Sequence, residues 1–417
     1  MAASPNRNVF VQCSVRFLKM EHGPQIDRPA TDQGMTAKTG DRTVRGTQLV
    51  LEPLRGRRAL FSVTTFLIAS NLLVAIAMLL VGAGLWHSSS AVQMAWGANF
   101  GPATKDGEWW RLGTAMFLHF GVVHLAMNML ALWDSGRLVE RIFGPARFAA
   151  IYFGSGLAGN LLSLIVQGDR AVSGGASGAI FGIYGAFLVY LLHERRRLHP
   201  GDFRWMFWGA AAFSGITLTL GFLIPGIDNA AHVGGLVTGA TAGFVLLKPV
   251  AGKDPSFPGK QRMVAAAFGL VVAALVVSIP DPLYRWSEEQ AARGEIREFI
   301  GEDARINARL RSILKEGRTG GASFEQLAGR IETEVAEPYE QSFEQLSALR
   351  VGPGVPSAAA LDQLRRYAEA RRDASHALAE GVRKNDPRQI RDALSSARQA
   401  ARPQPKTPPA ERPPQKP

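Results

Sequence analysis

Residues 175–192 read GASGAIFGIYGAFLVYLL, a serine followed by an unbroken apolar run. From Ser177 to Leu192 is 16 residues, about 24 Å of helix at ~1.5 Å per residue. A bilayer's hydrocarbon core is ~30 Å thick, so this run is too short to cross alone. The loop before it, Gly168 to Ala176, is expected to dip below the membrane surface. Irregular backbone at that depth is tolerated only when buried in protein or lining a water-filled cavity. A serine at the mouth of such a cavity is in the right place for hydrolysis, because water is the co-substrate.

Working outward, apolar runs occupy about 60–86, 118–133, 148–167, 177–192, 205–224, 230–247 and 263–280. The reading is an all-α polytopic membrane protein with six core spans and a seventh C-terminal span. The near-zero mean hydropathy averages an apolar middle with polar ends. Residues 1–34 lack the pattern of a secretory signal peptide. Met20 and Met35 are alternative starts, and the single cysteine, Cys13, excludes an internal disulfide and a Cys-based metal site.

The net charge of +12 is distributed by segment. Arg55, Arg57 and Arg58 precede the first run. Arg137, Arg141 and Arg147 follow the second, and Arg195, Arg196, Arg197 and Arg204 follow the fourth. Lys248, Lys253, Lys260 and Arg262 follow the sixth. These segments hold 14 basic residues, against three (Lys105, Arg111, Arg170) in the intervening loops. That is a positive-inside pattern, not a nucleic-acid footprint. It predicts a cytoplasmic N-terminus and, with seven spans, a C-terminus outside. The expected location is a bacterial cell (inner) membrane.

The expected domains are a disordered basic segment at 1–55, a six-helix core at 56–250 and an additional span at 260–280. An extramembrane helical region follows at 281–400, then a Pro-rich disordered tail at 401–417. In the helical region, Leu310, Ile313, Leu314, Leu361, Leu364 and Tyr367 recur at helical spacing, suggesting a small domain or hairpin. Gly317, Gly320 and Gly321 are expected to break it once, and Gly352-Pro353-Gly354 again. This region is a candidate site for a protein partner.

The chemistry sits at the outer ends of the runs. Ser177 starts the fourth and His232 the sixth, while His119, His124 and Asn128 start the second. Charge counting used none of these, yet it puts all five near one face. Ser177 at a helix N-terminus meets free backbone N–H groups and the positive end of the dipole, which suit an oxyanion. Gly175 and Gly178 permit tight turns and close approach. His232 reads as general base toward Ser177 and then general acid to the leaving amine. Asp228 reads as a helix N-cap more readily than as a third triad member, so a Ser–His dyad is expected, with Phe181 orienting the imidazole by ring packing. His124 and Asn128, four apart, share a helix face as candidate oxyanion donors, with His119 just outside. No carboxylate completes a zinc set with them. Gly178/Gly182 and Gly235/Gly239 each read alone as helix contacts. Trp109, Trp110 and Arg111 read as interfacial anchors, and Arg195 to Arg197 as a topology signal.

These motifs in order resemble the rhomboid family of intramembrane serine proteases. Trp110-Arg111 resembles its first-loop pair, and His119 to Asn128 its second-span motif. Glu140-Arg-Ile-Phe-Gly144 resembles the motif that follows. Gly175-Ala-Ser177-Gly178 resembles the nucleophile motif, and Ala231-His232-Val-Gly-Gly235 through Gly239 the general-base motif. The resemblance covers roughly residues 60–280. It implies a six-helix core cutting transmembrane substrates near the outer leaflet, with a 6+1 arrangement. It also implies Ser177 as nucleophile, His232 as base, and His124, Asn128 and the Ser177 N–H as oxyanion hole. The first loop, about 87–117, would lie partly in the membrane, and the fifth span would act as a lateral gate. The implied partners are transmembrane protein substrates and lipid, with no nucleic acid, metal or cofactor.

The alternative reading is a non-enzymatic membrane-protein binder or chaperone on the same fold. A channel or transporter is disfavoured, because the runs show no inverted repeat and carry almost no midplane charge.

Overall fold

The computed structural model describes residues 62–248, 256–352 and 354–400. The expectations for 1–55 and 401–417, and for Arg55, Arg57, Arg58, Lys253 and Pro353, lie outside the described residues. The chain divides into two compact units, Met1–Pro282 and Leu283–Pro417.

In the first unit, α1 (Val63–Leu80) begins at an N-cap, where the Ser62 side chain accepts from Thr65 N–H at 3.1 Å. A long loop follows, carrying α2 (Ser90–Ala95), strand β1 (Asn99–Phe100), α3 (Gly101–Lys105) and α4 (Arg111–Thr114). Helix α5 (Val122–Ala131) continues through one wide turn, Leu132–Gly136, into α6 (Arg137–Phe143). Then come α7 (Pro145–Gln167), strand β2 (Val172–Ser173), α8 (Ser177–Glu194), α9 (Pro200–Leu223), α10 (Asn229–Leu246) and α11 (Phe257–Val277). The two-residue strands pair antiparallel, Asn99 with Ser173 and Phe100 with Val172. The fold is therefore helical with one small β bridge, which the all-α reading did not anticipate.

By length and apolarity, α1, α7, α8, α9 and α11 are candidate membrane spans, and residues 111–143 add a sixth as a helix pair bent by 91°. α8 runs two residues past Leu192, to Glu194, so the run read as too short to cross alone reaches candidate length. The sequence reading counted seven runs. The difference is α10, whose 18 residues are rich in Gly, Ala and Thr rather than Leu and Ile. The reason is its position. α10 packs against α7 and α8 along its small-residue face, through Ala231, Gly234, Gly235, Thr238 and Gly239, while Val233 and Val237 stay exposed. A Cβ on Gly235 would overlap the Gly178 carbonyl oxygen, and one on Gly239 would overlap the Gly182 backbone. Small residues let helix backbones approach where lipid removes the hydrophobic drive for association. The second run also extends beyond residue 133, to Phe143.

Two buried polar groups hold helix ends. The carboxylate of Glu140, 8% exposed, accepts from Val63 N–H at 2.8 Å, Thr64 N–H at 2.9 Å and the Thr64 hydroxyl at 2.6 Å. A negative charge at a helix N-terminus satisfies free donors and complements the dipole. The Gln261 amide on α11 donates to Phe244 O at 3.0 Å and Leu247 O at 2.9 Å, closing the last turn of α10.

Among its described residues the second unit contains α12 (Trp286–Thr319), α13 (Phe324–Ile331), which continues through a wide turn at Glu332–Ala336 into α14 (Glu337–Ala348), then α15 (Ala358–Arg383) and α16 (Pro387–Ala400). It is larger than a hairpin. Gly317 lies inside α12, and the break comes at Gly320, whose φ of 76° is the left-handed cap that glycine favours. Ile306, Ile313, Ile331, Val335, Tyr339 and Ala379 form a fully buried core. Within it, Asp303 accepts from the Tyr339 and Tyr367 hydroxyls at 2.8 and 2.9 Å. Arg371 donates to the Tyr339 oxygen at 3.0 Å and to Asn307 at 2.6 Å. Burial pushes the Tyr339 hydroxyl well above the usual phenol range, so it stays a donor.

Glu140→Ala strands two backbone N–H groups and a hydroxyl. The expected loss is about 3 kcal/mol of unfolding free energy, at ~1–3 kcal/mol per unsatisfied group. Thermal unfolding in detergent measures it, and an unchanged Tm would show that the start of α1 is held by other means.

Candidate active site

The loop chain leading to Ser177 is fixed from three sides. Arg111 is 5% exposed, and its guanidinium donates to Met94 O at 2.7 Å, Ala98 O at 3.2 Å and Glu108 at 2.5 Å. It organises the first loop from inside, which corrects its reading as an interfacial anchor. Trp109 and Trp110 beside it are exposed, as anchors would be. The Asn160 amide on α7 donates to Leu112 O at 2.7 Å, while the Asn99 amide donates to Asn160 O at 3.0 Å. Lys105 on α3 pairs with Asp169 at 2.7 Å, with side chains 3% and 4% exposed. Past Asp169, Val172 and Ser173 then pair with Phe100 and Asn99 of the first loop.

Gly175 makes the final turn. Its φ of 142° suits glycine, and its N–H donates to Ala115 O at 2.8 Å. A Cβ there would stand 3.0 Å from the His124 ring and 3.7 Å from Ser177 Oγ, so these two groups flank one small space. Ser177 is the first residue of α8, where the opening N–H groups have no intrahelical acceptor.

His232 lies one turn into α10 and is 4% exposed. Its Nε2 is 2.9 Å from Ser177 Oγ. With the proton on Nδ1, the Nε2 lone pair accepts from the hydroxyl. Nδ1 itself makes no hydrogen bond among the described residues. The Phe181 ring stacks on the imidazole at 4.4 Å between centroids and 10° between planes. Phe181 sits one turn after Ser177, so one helix supplies both the hydroxyl and the ring that faces its partner.

Asp228 is not on the imidazole. Its Oδ1 accepts from Ala231 N–H at 3.0 Å, capping α10, and its Oδ2 accepts from the Ser163 and Ser173 hydroxyls, each at 2.5 Å. The sequence reading saw the cap but not the two serines, which lie 65 and 55 residues away and carry no spacing signal.

The structure brings Ser177, His232, Phe181, Gly175 and His124 together. Asn128 shares the His124 helix face and is 6% exposed, but its amide donates to His124 O at 3.0 Å. One of its two N–H donors is thus committed within the helix. His119 precedes α5, with its ring edge-on to His124 at 5.0 Å. Gln93 donates to His119 O at 2.8 Å. Gly178, Gly235 and Gly239 lie in the α8–α10 contact. No cluster of three or more His, Cys, Asp or Glu able to hold a metal occurs among the described residues.

Residues 106–249 match the family model described as Rhomboid domain. The rhomboid protease GluP of Bacillus subtilis is 37% identical over 194 residues, 46% of this chain and 36% of that protein. RHOMBOID-like protein 6, mitochondrial, of Arabidopsis thaliana is 36% identical over 171 residues, 39% of this chain and 52% of that protein. YdcA of Bacillus subtilis, which also carries the rhomboid name, is 36% identical over 152 residues, 36% of this chain and 73% of that protein. The chain thus spans about a third to a half of the length of the first two relatives and about three quarters of the third.

Lys105→Met leaves a buried carboxylate without its ion pair. The expected cost is about 3 kcal/mol, at the lower end for removing one partner of a buried pair. Differential scanning fluorimetry in detergent reads it as a lowered Tm, and a wild-type Tm would show that Asp169 does not depend on this lysine.

Proposed function

The chain belongs to the rhomboid family, and from that premise we propose that it is an intramembrane serine endopeptidase acting on transmembrane protein substrates. The observation that carries the reading is the 2.9 Å contact between His232 Nε2 and Ser177 Oγ at the N-terminus of α8.

In the proposed mechanism the Ser177 oxygen attacks the scissile carbonyl carbon as its proton passes to His232 Nε2. The tetrahedral oxyanion develops beside the first N–H groups of α8, including that of Ser177. His124, across Gly175, and the second amide N–H of Asn128 are further donors. The imidazolium then gives its proton to the leaving amine, and the C–N bond breaks to leave an acyl-enzyme. Water adds to the ester with His232 as base, releasing the carboxylate product and restoring Ser177. Phe181 holds the imidazole plane throughout. His119, Gly178, Gly235 and Gly239 support the site through packing.

The proposed architecture is the 6+1 form, with the bent helix and α10 as core spans and α11 as the added one. The window of α11 that would cross the membrane is only 6% buried, which fits a peripheral helix facing lipid. α9 is similarly bare at 11% and reaches the site through Phe213, whose ring lies 6.2 Å from that of Phe181, which supports a lateral entrance there. The proposed domains remain those expected from sequence: catalytic core 56–250, added span 260–280 and extramembrane helical region 281–400. The proposed orientation is N-terminus cytoplasmic, C-terminus outside, in a bacterial inner membrane. A protein partner for the helical region is part of the same proposal.

Cleavage of a single-pass membrane reporter in proteoliposomes tests the function. Ser177→Ala and His232→Ala are expected to lower turnover by at least about 10³-fold, on the scale of losing a nucleophile or its base. Fluorophosphonate should label wild type alone. Cleavage persisting in folded Ser177→Ala protein overturns the reading, and well-folded wild type that neither labels nor cleaves would favour a binding protein on this fold.

A further inference from the structure

We infer that Asp228 is a positioning residue that clasps the Ser177-bearing loop to the His232-bearing helix through Ser163 and Ser173. The inference rests on the proteolytic reading of the site.

Three elements meet at this one carboxylate. Ser163 lies on α7, 2% exposed, and Ser173 on β2, 9% exposed. Both hydroxyls donate to the same oxygen, Oδ2, at 2.5 Å. Two hydroxyl donors thus converge on one carboxylate oxygen, while the other oxygen caps α10. Ser163 is notable for what it does not do. Serines within membrane helices usually return their hydroxyl to the carbonyl one turn back. Ser70, Ser135 and Ser214 do so, to Phe66, Ala131 and Ala210. Ser163 turns outward to Asp228 instead.

The clasp reaches both halves of the dyad. Ser173 is four residues before Ser177, and between them Gly175 N–H is fixed to Ala115 O. On the other side, Asp228 Oδ1 holds Ala231 N–H, and its backbone carbonyl accepts from His232 N–H at 3.2 Å. Asp228 therefore anchors the backbone of the histidine and, through one serine, the loop that delivers the nucleophile. Ser163 ties both to α7, which packs on α10 through Gly159 and Gly234.

Asp228 does not act as a triad acid in this arrangement. Both of its oxygens already accept from other donors, and His232 Nδ1 makes no hydrogen bond among the described residues. Its effect on the reaction is geometric. A reacting pair displaced by about 1 Å can lose about 10²-fold in rate.

The test uses the full chain in proteoliposomes, with the Ser163→Ala/Ser173→Ala double variant, Asp228→Asn and Ser173→Thr. Asp228→Asn keeps the side-chain shape and the capping oxygen, so it reports even where a larger change would not fold. Four quantities are read: fluorophosphonate labelling rate, kcat and KM for the reporter, the pH profile of kcat/KM, and amide hydrogen exchange of residues 169–178 and 226–234. The double variant and Asp228→Asn are expected to lose about 10- to 100-fold in labelling rate and kcat, with KM within about twofold. The pH midpoint of the double variant, which keeps the Asp228 charge, should stay in place, and exchange should rise in both segments of both variants together. Ser173→Thr, which keeps the hydroxyl, should restore wild-type values. Wild-type kcat and exchange in the double variant overturn the inference. So does a shifted pH midpoint with unchanged exchange, which would make Asp228 an electrostatic partner of His232. Wild type protected in both segments but inactive would instead remove the proteolytic reading, and this inference with it.

Discussion

Helices α8 and α10 lie so close that no side chain fits between their backbones where Gly178 meets Gly235 and Gly182 meets Gly239. Much of the rest depends on that approach. It sets the separation of the two helix starts, and so the 2.9 Å between Ser177 Oγ and His232 Nε2. It also determines what α10 can be made of. A helix enclosed by α7 and α8 gains nothing from large apolar residues and would be pushed out by them. Its composition is therefore the least lipid-like of the core, although it packs directly on α8, the most buried helix. The 67% burial of α8's apolar window, against 6% for α11, marks the same gradient from centre to rim.

A close helix pair alone would still leave the loops at the site free. The first unit answers with buried polar groups whose partners lie far apart in sequence. Arg111 gathers the first loop, Asn99 and Asn160 join it to α7, and Lys105 with Asp169 joins it to the segment before Ser177. Each of these would be costly if left unpaired in a low-dielectric setting, and removing one partner exposes that cost. The same property that makes them expensive makes them specific: only one arrangement of loop, strand pair and helix satisfies them together. Irregular backbone within a membrane is tolerated only where protein or a water-filled cavity encloses it, and these buried partners enclose it with protein.

Much of this was legible in the sequence and some of it was not, for definable reasons. Apolar runs are local, so helix positions followed from composition to within about six residues, save where α6 and α12 ran on. Ser177 and His232 stood out because polar residues at the ends of apolar runs need a reason. Their glycine neighbours showed which helices could approach closely. Arg111 misled, because beside two exposed tryptophans it reads as an interfacial anchor, and only tertiary structure turns it inward. Ser163 and Ser173 were silent, since a serine in an apolar run has a local acceptor available and no pattern reveals when it declines it. The β bridge was also invisible, because two residues per strand leave no alternation to read. The pattern is consistent: signals carried by one helix survive in sequence, and signals carried by two distant side chains do not.

The remaining question is how an imidazole keeps its orientation with no carboxylate on Nδ1. In the proposed mechanism His232 gains a proton during each half-reaction, so both its neutral and charged forms must hold one plane. A carboxylate would favour the charged form strongly, but burying it beside Ser177 carries a desolvation cost that must be met by further donors. A stacked ring restrains the plane without placing a charge in the site, and a phenyl face also attracts the cation when it forms. Phe181 is placed for this on the helix of Ser177, one turn along, so any motion of α8 carries ring and hydroxyl together. The acid that is present, Asp228, stands at the cap of α10 with hydroxyls and a backbone N–H around it. There its charge meets donors that suit it. Orientation by packing and placement by a distant carboxylate are separate tasks, and the proposed site assigns them to different residues.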